Sequence, residues 1–170
     1  REEVDLVGLL VDTVADARAA GPDHDWQLDL AVLEPPADAT PQEAEDFLPE
    51  PPLVIGDEAR LRQVVVNLLA NARVHTPAGS HVTTTLAREG DTLIVRIHDD
   101  GPGIAPDVRD RLFERFARGD SSRERRTGST GLGMSIALAI VQSHGGSIDV
   151  DSSTAPEDHG TTFSVRLPAA

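Results

Sequence analysis

The stretch Asp99-Asp100-Gly101-Pro102-Gly103-Ile104 constrains this chain more than any other. It follows a strand predicted over residues 91–98, in which Leu93, Val95 and Ile97 alternate with Thr92, Ile94 and Arg96 in an imperfect period of two. The strand therefore ends where the glycines begin. Gly101 and Gly103 permit a sharp turn or close approach of a ligand, and Pro102 between them fixes one φ and removes a donor. A carboxylate held at a strand end beside exposed backbone can accept a hydrogen bond from a ligand amino group. Taken alone, the same residues also describe a surface turn. The flanking sequence decides between the two.

The charge is acidic and unevenly spread. Twenty-nine Asp and Glu oppose 15 basic residues for a net charge of −14, which argues against a nucleic-acid surface. Every basic residue is Arg, so any anion must be held by Arg, by backbone N–H groups or by a metal. Seven Arg against five acids fall between Asp107 and Arg126, making that segment locally basic. The absence of Cys excludes a disulfide framework and a thiolate metal site. No apolar run reaches membrane-spanning length and no signal peptide opens the chain, so direct membrane contact is not expected. With 170 residues, 39% of them hydrophobic, one domain with one core is expected over 1–170.

Apolar residues at 4, 7, 10, 11 and 14 predict an opening helix from Val4 to Ala20, ended by Gly21-Pro22. Trp26 to Leu33 reads as a strand with Trp26, Leu28, Leu30 and Val32 on one face. Residues 34–52 hold six acids, six prolines and no Arg, and read as a solvated excursion. Asp57 is an N-cap for a helix whose stripe is Leu61, Val64, Val65, Leu68 and Leu69. On that helix Asn67 and Asn71 lie one turn apart on one face. Asn is a mediocre interior helix residue, so the pair requires a reason. It is either a set of side-chain hydrogen bonds or an amide oxygen for a hard cation such as Mg²⁺.

Strands over 81–88 and 91–98 are joined at Glu89-Gly90, a hairpin signal. A helix starts at Pro106 and ends near Phe113, and 114–129 reads as a loop able to move. Gly128-Ser129-Thr130-Gly131-Leu132-Gly133 then opens a helix that stops at His144-Gly145-Gly146, and its exposed N–H groups suit a phosphate. Strands over 147–151 and 161–167 close the chain. There is no G-x-x-x-x-G-K-[ST], and no G-x-G-x-x-G follows the first strand. Strands paired as hairpins between helices favour an α+β sandwich over a doubly wound sheet.

The order of these parts resembles the catalytic ATP-binding domain of bacterial sensor histidine kinases, in the wider group that includes gyrase, Hsp90 and MutL. The resemblance covers Leu6 to Pro168. It rests on N-L-L-A-N-A-R-V-H-T at 67–76, D-D-G-P-G-I at 99–104, L-F-E-R-F-A-R at 112–118, S-T-G-L-G-M-S-I at 129–136 and H-G-G…G-T-T-F at 144–163. It implies a two-layer fold, a mixed, mostly antiparallel sheet on three helices, with ATP between helices and a mobile lid over 114–130. By the same resemblance, Asn71 would bind Mg²⁺ with Asn67 in support, and Asp99 would accept from the adenine amino group, with Thr161 acting through water. Gly101 and Gly103 would allow close approach, Ile104 would pack on the base and His75 along it. Phe113 and Phe116 would anchor the lid. Arg118 with Arg115 would reach the phosphates, and Gly131, Leu132 and Gly133 would offer backbone N–H groups.

Two positions depart from the family pattern. Val74 stands where a Lys is usual, with Arg73 beside it as a candidate substitute, and Ser129 replaces one glycine at the end of the lid. ATP-hydrolysing relatives place a Glu general base where Asn67 stands, and Asn cannot take a proton from water at neutral pH. The γ-phosphate would therefore be kept for a protein nucleophile. None of His24, His75, His81, His98, His144 and His159 sits in the family's H-[ED]-x-x-[TNR] setting. The expected partners are thus the phosphoacceptor histidine of the kinase's own dimerisation domain, absent from these residues, and a response regulator. The expected location is cytoplasmic, as part of a membrane-anchored sensor. The competing readings are a degenerate nucleotide-docking domain and an anti-sigma-factor-type serine kinase.

Overall fold

The structure, a computed structural model, describes residues 1–108 and 130–170. The expected lid, with Phe113, Arg115, Phe116 and Arg118, lies outside the described residues.

The chain opens as a strand, β1 (Glu2–Asp5), and only then enters α1 (Leu6–Ala20). The helix expected from Val4 is therefore shorter at its start. Val4 instead pairs with Val54 across β1 and β3 (Leu53–Gly56), and Asp5 caps the helix by accepting the Val7 N–H at 2.9 Å. Both the strand and the helix bury apolar residues in one core, so the periodicity runs through the junction unbroken. β2 (Asp25–Asp29) is also shorter than the predicted strand, because Ala31–Leu33 form a 3-10 turn that carries Val32 into the core.

The acidic excursion is not featureless. It contains α2 (Pro41–Glu45), started by a capping box in which Thr40 Oγ1 accepts the Glu43 N–H and the Glu43 carboxylate accepts the Thr40 N–H at 2.8 Å. Arg88 ties the excursion to the sheet through Glu50 at 3.0 Å and the Pro51 carbonyl at 3.2 Å.

The remaining elements are α3 (Glu58–His75), β4 (His81–Glu89), β5 (Thr92–Asp99), α4 (Thr130–Ser143), β6 (Ser147–Ala155) and β7 (Asp158–Pro168). Glu89 pairs with Thr92, so the hairpin turn is Gly90-Asp91, one residue later than expected, with Gly90 in the left-handed region at φ 59°. The last two strands extend beyond 147–151 and 161–167 to a hairpin end at Ala155 and Asp158. Their added residues are mostly polar, and their ladder continues without the apolar alternation that marks a strand in sequence.

Five strands form one sheet in the order β2-β4-β5-β7-β6, with β2 parallel to β4 and every other pair antiparallel. Buried residues of α1, α3 and α4 share one core with it, which is the expected mixed sheet on three helices. On β5 the buried file is Leu93, Val95, Ile97 and then Asp99; on β7 it is Thr161, Phe163, Val165 and Leu167. Each apolar side chain buried in such a file contributes on the order of 1.5–3 kcal/mol.

α3 and α4 are joined behind the site by His144, which is 8% exposed. Its Nδ1–H donates to the Ile140 carbonyl at 2.7 Å and its Nε2 accepts the Asp57 N–H at 3.1 Å, at the N-cap of α3. Gly56 makes room for the ring, since a Cβ there would lie 2.5 Å from His144 Cδ2. His144→Ala should therefore cost about 1–3 kcal/mol of unfolding free energy, because it empties a buried site and takes the acceptor from the Asp57 N–H. Urea denaturation at pH 7 measures it.

Candidate nucleotide site

The inward file of β5 ends in a carboxylate. Asp99 is 7% exposed and pairs in register with Thr161 on β7, which is 4% exposed. Asp99 Oδ1 accepts the Gly101 N–H at 3.0 Å. Burial holds the Asp99 carboxyl above the usual carboxylate range, and the N–H of Gly101 opposes that shift most strongly. Asp100, its neighbour, serves the scaffold: its Oδ1 accepts the His81 N–H at 2.7 Å at the start of β4.

The loop after Asp99 is seated on its surroundings through backbone. Gly103 has φ 80°, and a Cβ on it would lie 2.0 Å from the Ser153 carbonyl oxygen of β6. A Cβ on Gly101 would lie 2.5 Å from Thr76 Cγ2. Both glycines are thus required by the protein's own packing, a reason added to the sharp turn and the ligand approach expected of them from the sequence. His159 Nδ1–H donates to the Gly101 carbonyl at 2.6 Å, and Ser152 Oγ accepts the Ile104 N–H at 2.7 Å.

Thr76, against which Gly101 packs, closes α3. Its hydroxyl donates to the Ala72 carbonyl at 2.6 Å and accepts from His24 Nε2 at 2.8 Å. The end of α3, the start of β2 and the glycine loop are therefore held together.

A cleft of about 400 Å³ opens between α3 and this loop. Asn71, His75, Asp99, Gly103, Ile104 and Thr161, six of the predicted site residues, line it together. Phe163 and Val108 also line it and were not predicted as site residues; Phe163 was legible only as the last letter of G-T-T-F. Gly101 lies in the adjoining depression with His159. Gly131, Leu132 and Gly133 fall in the first turn of α4, where N–H groups have no partner within the helix.

The two asparagines have different surroundings. Asn67 Nδ2 donates to the Gly133 carbonyl at 3.2 Å, tying α3 to the first turn of α4. The Asn71 Oδ1 is buried and has no hydrogen-bond partner among the described residues. A buried amide oxygen without a donor is costly, and a hard cation is a suitable occupant for it. Among the described residues no group of three or more His, Cys, Asp or Glu side chains could hold a metal. The donor set therefore fits a cation that takes one protein oxygen and fills its other positions with water and ligand phosphates. Arg73 does not substitute for the missing Lys at position 74: its guanidinium donates to the Ala20 carbonyl at 3.3 Å, at the end of α1. Val74 is 62% exposed.

The family model described as "Histidine kinase-, DNA gyrase B-, and HSP90-like ATPase" matches residues 56–170. The probable sensor histidine kinase TcrY of Mycobacterium tuberculosis is 48% identical over 168 residues, 99% of this chain and 31% of TcrY. Sensor-like histidine kinase SenX3 of the same species is 40% identical over 116 residues, covering 68% of this chain and 28% of SenX3. The chain thus spans about a third of the length of the curated relatives it matches. Among solved structures, the mycobacterial sensor histidine kinase MprB superposes with a TM-score of 0.74 at 29% identity over 99% of this chain and 98% of that one. The ATP binding domain of PrrB from Mycobacterium tuberculosis gives a TM-score of 0.68 at 26% identity over 99% and 96%. The chain belongs to the histidine kinase-, DNA gyrase B- and HSP90-like ATPase family, and within it has the catalytic-domain fold of the sensor histidine kinases.

Proposed function

We propose that the cleft binds ATP with Mg²⁺, and that the γ-phosphate passes to a histidine on the phosphoacceptor domain of the same sensor kinase, for relay to a response regulator. The observation that carries this reading is the pairing, in one cleft, of a buried carboxylate at one end with a buried, unpartnered amide oxygen on α3. Asp99 would accept from the adenine amino group, beside Thr161, while Ile104, His75 and Phe163 would pack on the base. Asn71 would hold the cation, and the first turn of α4 with Arg115 and Arg118 would hold the phosphates. Bound Mg²⁺ supplies charge neutralisation at the phosphate oxygens. The role of the chain is to position the nucleotide and to keep water from being activated, since Asn67 cannot serve as a base and is already engaged with Gly133. The domain would work on the cytoplasmic side, where ATP is supplied; among the described residues no helix is long and apolar enough to cross a membrane.

Calorimetric titration tests the nucleotide reading. ATP should bind more tightly with Mg²⁺ than without it, and Asn71→Ala should remove that difference. Metal-independent binding by the unsubstituted chain would favour a degenerate docking domain.

Asp99→Asn should abolish ATP binding, whereas Asp100→Asn, which keeps an acceptor for His81, should change it little. Equal losses from both would mean that the base is held elsewhere.

Asp99 also gives a stability signature. Its carboxyl is held above its unfolded value, so ionised Asp99 costs stability above the folded pKa and the cost vanishes below the unfolded one. Asp99→Asn should therefore unfold at the same or a higher temperature than the unsubstituted chain at pH 7. The two melting temperatures should converge as the pH falls through the titration of Asp99, as followed by circular dichroism.

Incubated alone with radiolabelled ATP, these 170 residues should acquire no stable acid-labile phosphate. Supplied with the phosphoacceptor domain of the same kinase, they should label it.

A further inference from the structure

Ser152 lies on β6, outside the residues that line the cleft, yet its hydroxyl makes three contacts at the cleft's polar end. Ser152 Oγ is 2.7 Å from the Ile104 nitrogen, 3.1 Å from the Gly160 carbonyl oxygen and 2.8 Å from Thr161 Oγ1. The first of these partners can only donate and the second can only accept. A serine hydroxyl has one proton, so all three contacts are satisfied in a single way. Ser152 gives its proton to Gly160, accepts from Ile104 and accepts the proton of Thr161. The Thr161 hydroxyl then has no proton left for the cleft, only lone pairs. Beside it stands the Asp99 carboxylate, which also only accepts when ionised.

We propose that Ser152 is a specificity-determining positioning residue: by drawing the Thr161 proton out of the cleft it makes the polar end accept-only, so that a base with an amino group is taken and one with a carbonyl oxygen at that place is refused. This rests on the nucleotide reading given above. Discrimination of this kind is strong where a site's buried polar groups would be left unpaired by the wrong ligand. Without the Ser152 hydroxyl, Thr161 can turn its proton into the cleft and donate to a carbonyl oxygen.

The test compares ATP with inosine triphosphate, in which a carbonyl oxygen replaces the amino group and the adjacent ring nitrogen carries a proton, in calorimetric titrations with Mg²⁺. The unsubstituted chain should prefer ATP. Ser152→Ala should lower the ratio of the two affinities about fivefold, the equivalent of one neutral hydrogen bond, and Ser152→Thr, which keeps a hydroxyl, should restore it. In a Thr161→Val background Ser152→Ala should no longer move the ratio, because the pair is then uncoupled. An equal loss for both nucleotides would make Ser152 a brace for Ile104 alone and overturn the proposal, as would an unchanged ratio. Should Ser152→Ala fail to fold, Ser152→Cys fills the space with a weak donor and acceptor and should shift the ratio in the same direction; no shift there would also overturn it. If the unsubstituted chain binds neither nucleotide, the nucleotide reading itself fails, and that outcome is distinct from every other.

Discussion

The register between β5 and β7 is the constraint on which the rest of the structure depends. Leu93 faces Leu167, Val95 faces Val165 and Ile97 faces Phe163, and all six are buried against the helices. Because strand side chains alternate, that apolar pairing leaves one position for the next inward residues, and they are Asp99 and Thr161. A slip of one residue would turn both files away from the core. The hydrophobic energy that fixes the register therefore also fixes the two polar groups side by side at the mouth of the cleft. The core thus places the two groups, and local contacts then hold the loop that follows Asp99.

Holding a carboxylate there is unfavourable for folding, and the structure offsets the cost only in part. The Gly101 N–H answers one oxygen, while desolvation still dominates the titration of Asp99. Such a group persists where the surrounding structure leaves it no alternative, and the loop that follows it is held on several sides. Gly103 lies against the Ser153 carbonyl, Gly101 against Thr76, and His159 and Ser152 hold the backbone of the loop from the β6 and β7 side. At the opposite end of the cleft, Asn67 ties α3 to α4, while the Asn71 oxygen has no partner among the described residues. Neighbouring residues of one type thus divide into one that is structural and one that is open to a ligand.

Much of this was legible in the sequence, for identifiable reasons. The stripe of α3, its Asp57 cap, the β4–β5 hairpin and the carboxylate after Ile97 all follow from local periodicity and turn chemistry, which need no tertiary information. Asn71 and His75 lie in the last turns of α3 and Asp99 ends β5, while Ile104 follows in the loop and Thr161 meets Asp99 through the β5–β7 register. The misses came where tertiary pairing overrode local pattern. Val4 carries a helical spacing but is claimed by β3, the outer halves of β6 and β7 pair without apolar alternation, and Arg73 is drawn to the end of α1. Ser152 could not have been found, since one serine in a polar run carries no signal until Ile104, Gly160 and Thr161 are brought around it. The capping box at Thr40 and Glu43 was readable, but the proline and acid content of the segment concealed it.

The central claim is that a nucleotide base sits between Asp99 and the glycine loop while a metal-bound phosphate sits over Asn71. Backbone amide resonances of the isotopically labelled chain, followed during addition of ATP with Mg²⁺, test it most directly. The account predicts saturable shifts at Asp99, Gly101, Gly103 and Thr161, together with a shift of the Asn71 side-chain amide that disappears when Mg²⁺ is withheld. Shifts confined to the groove between α1 and α3, lined by Trp26, Val66 and Arg73, with the glycine loop unmoved, would contradict it.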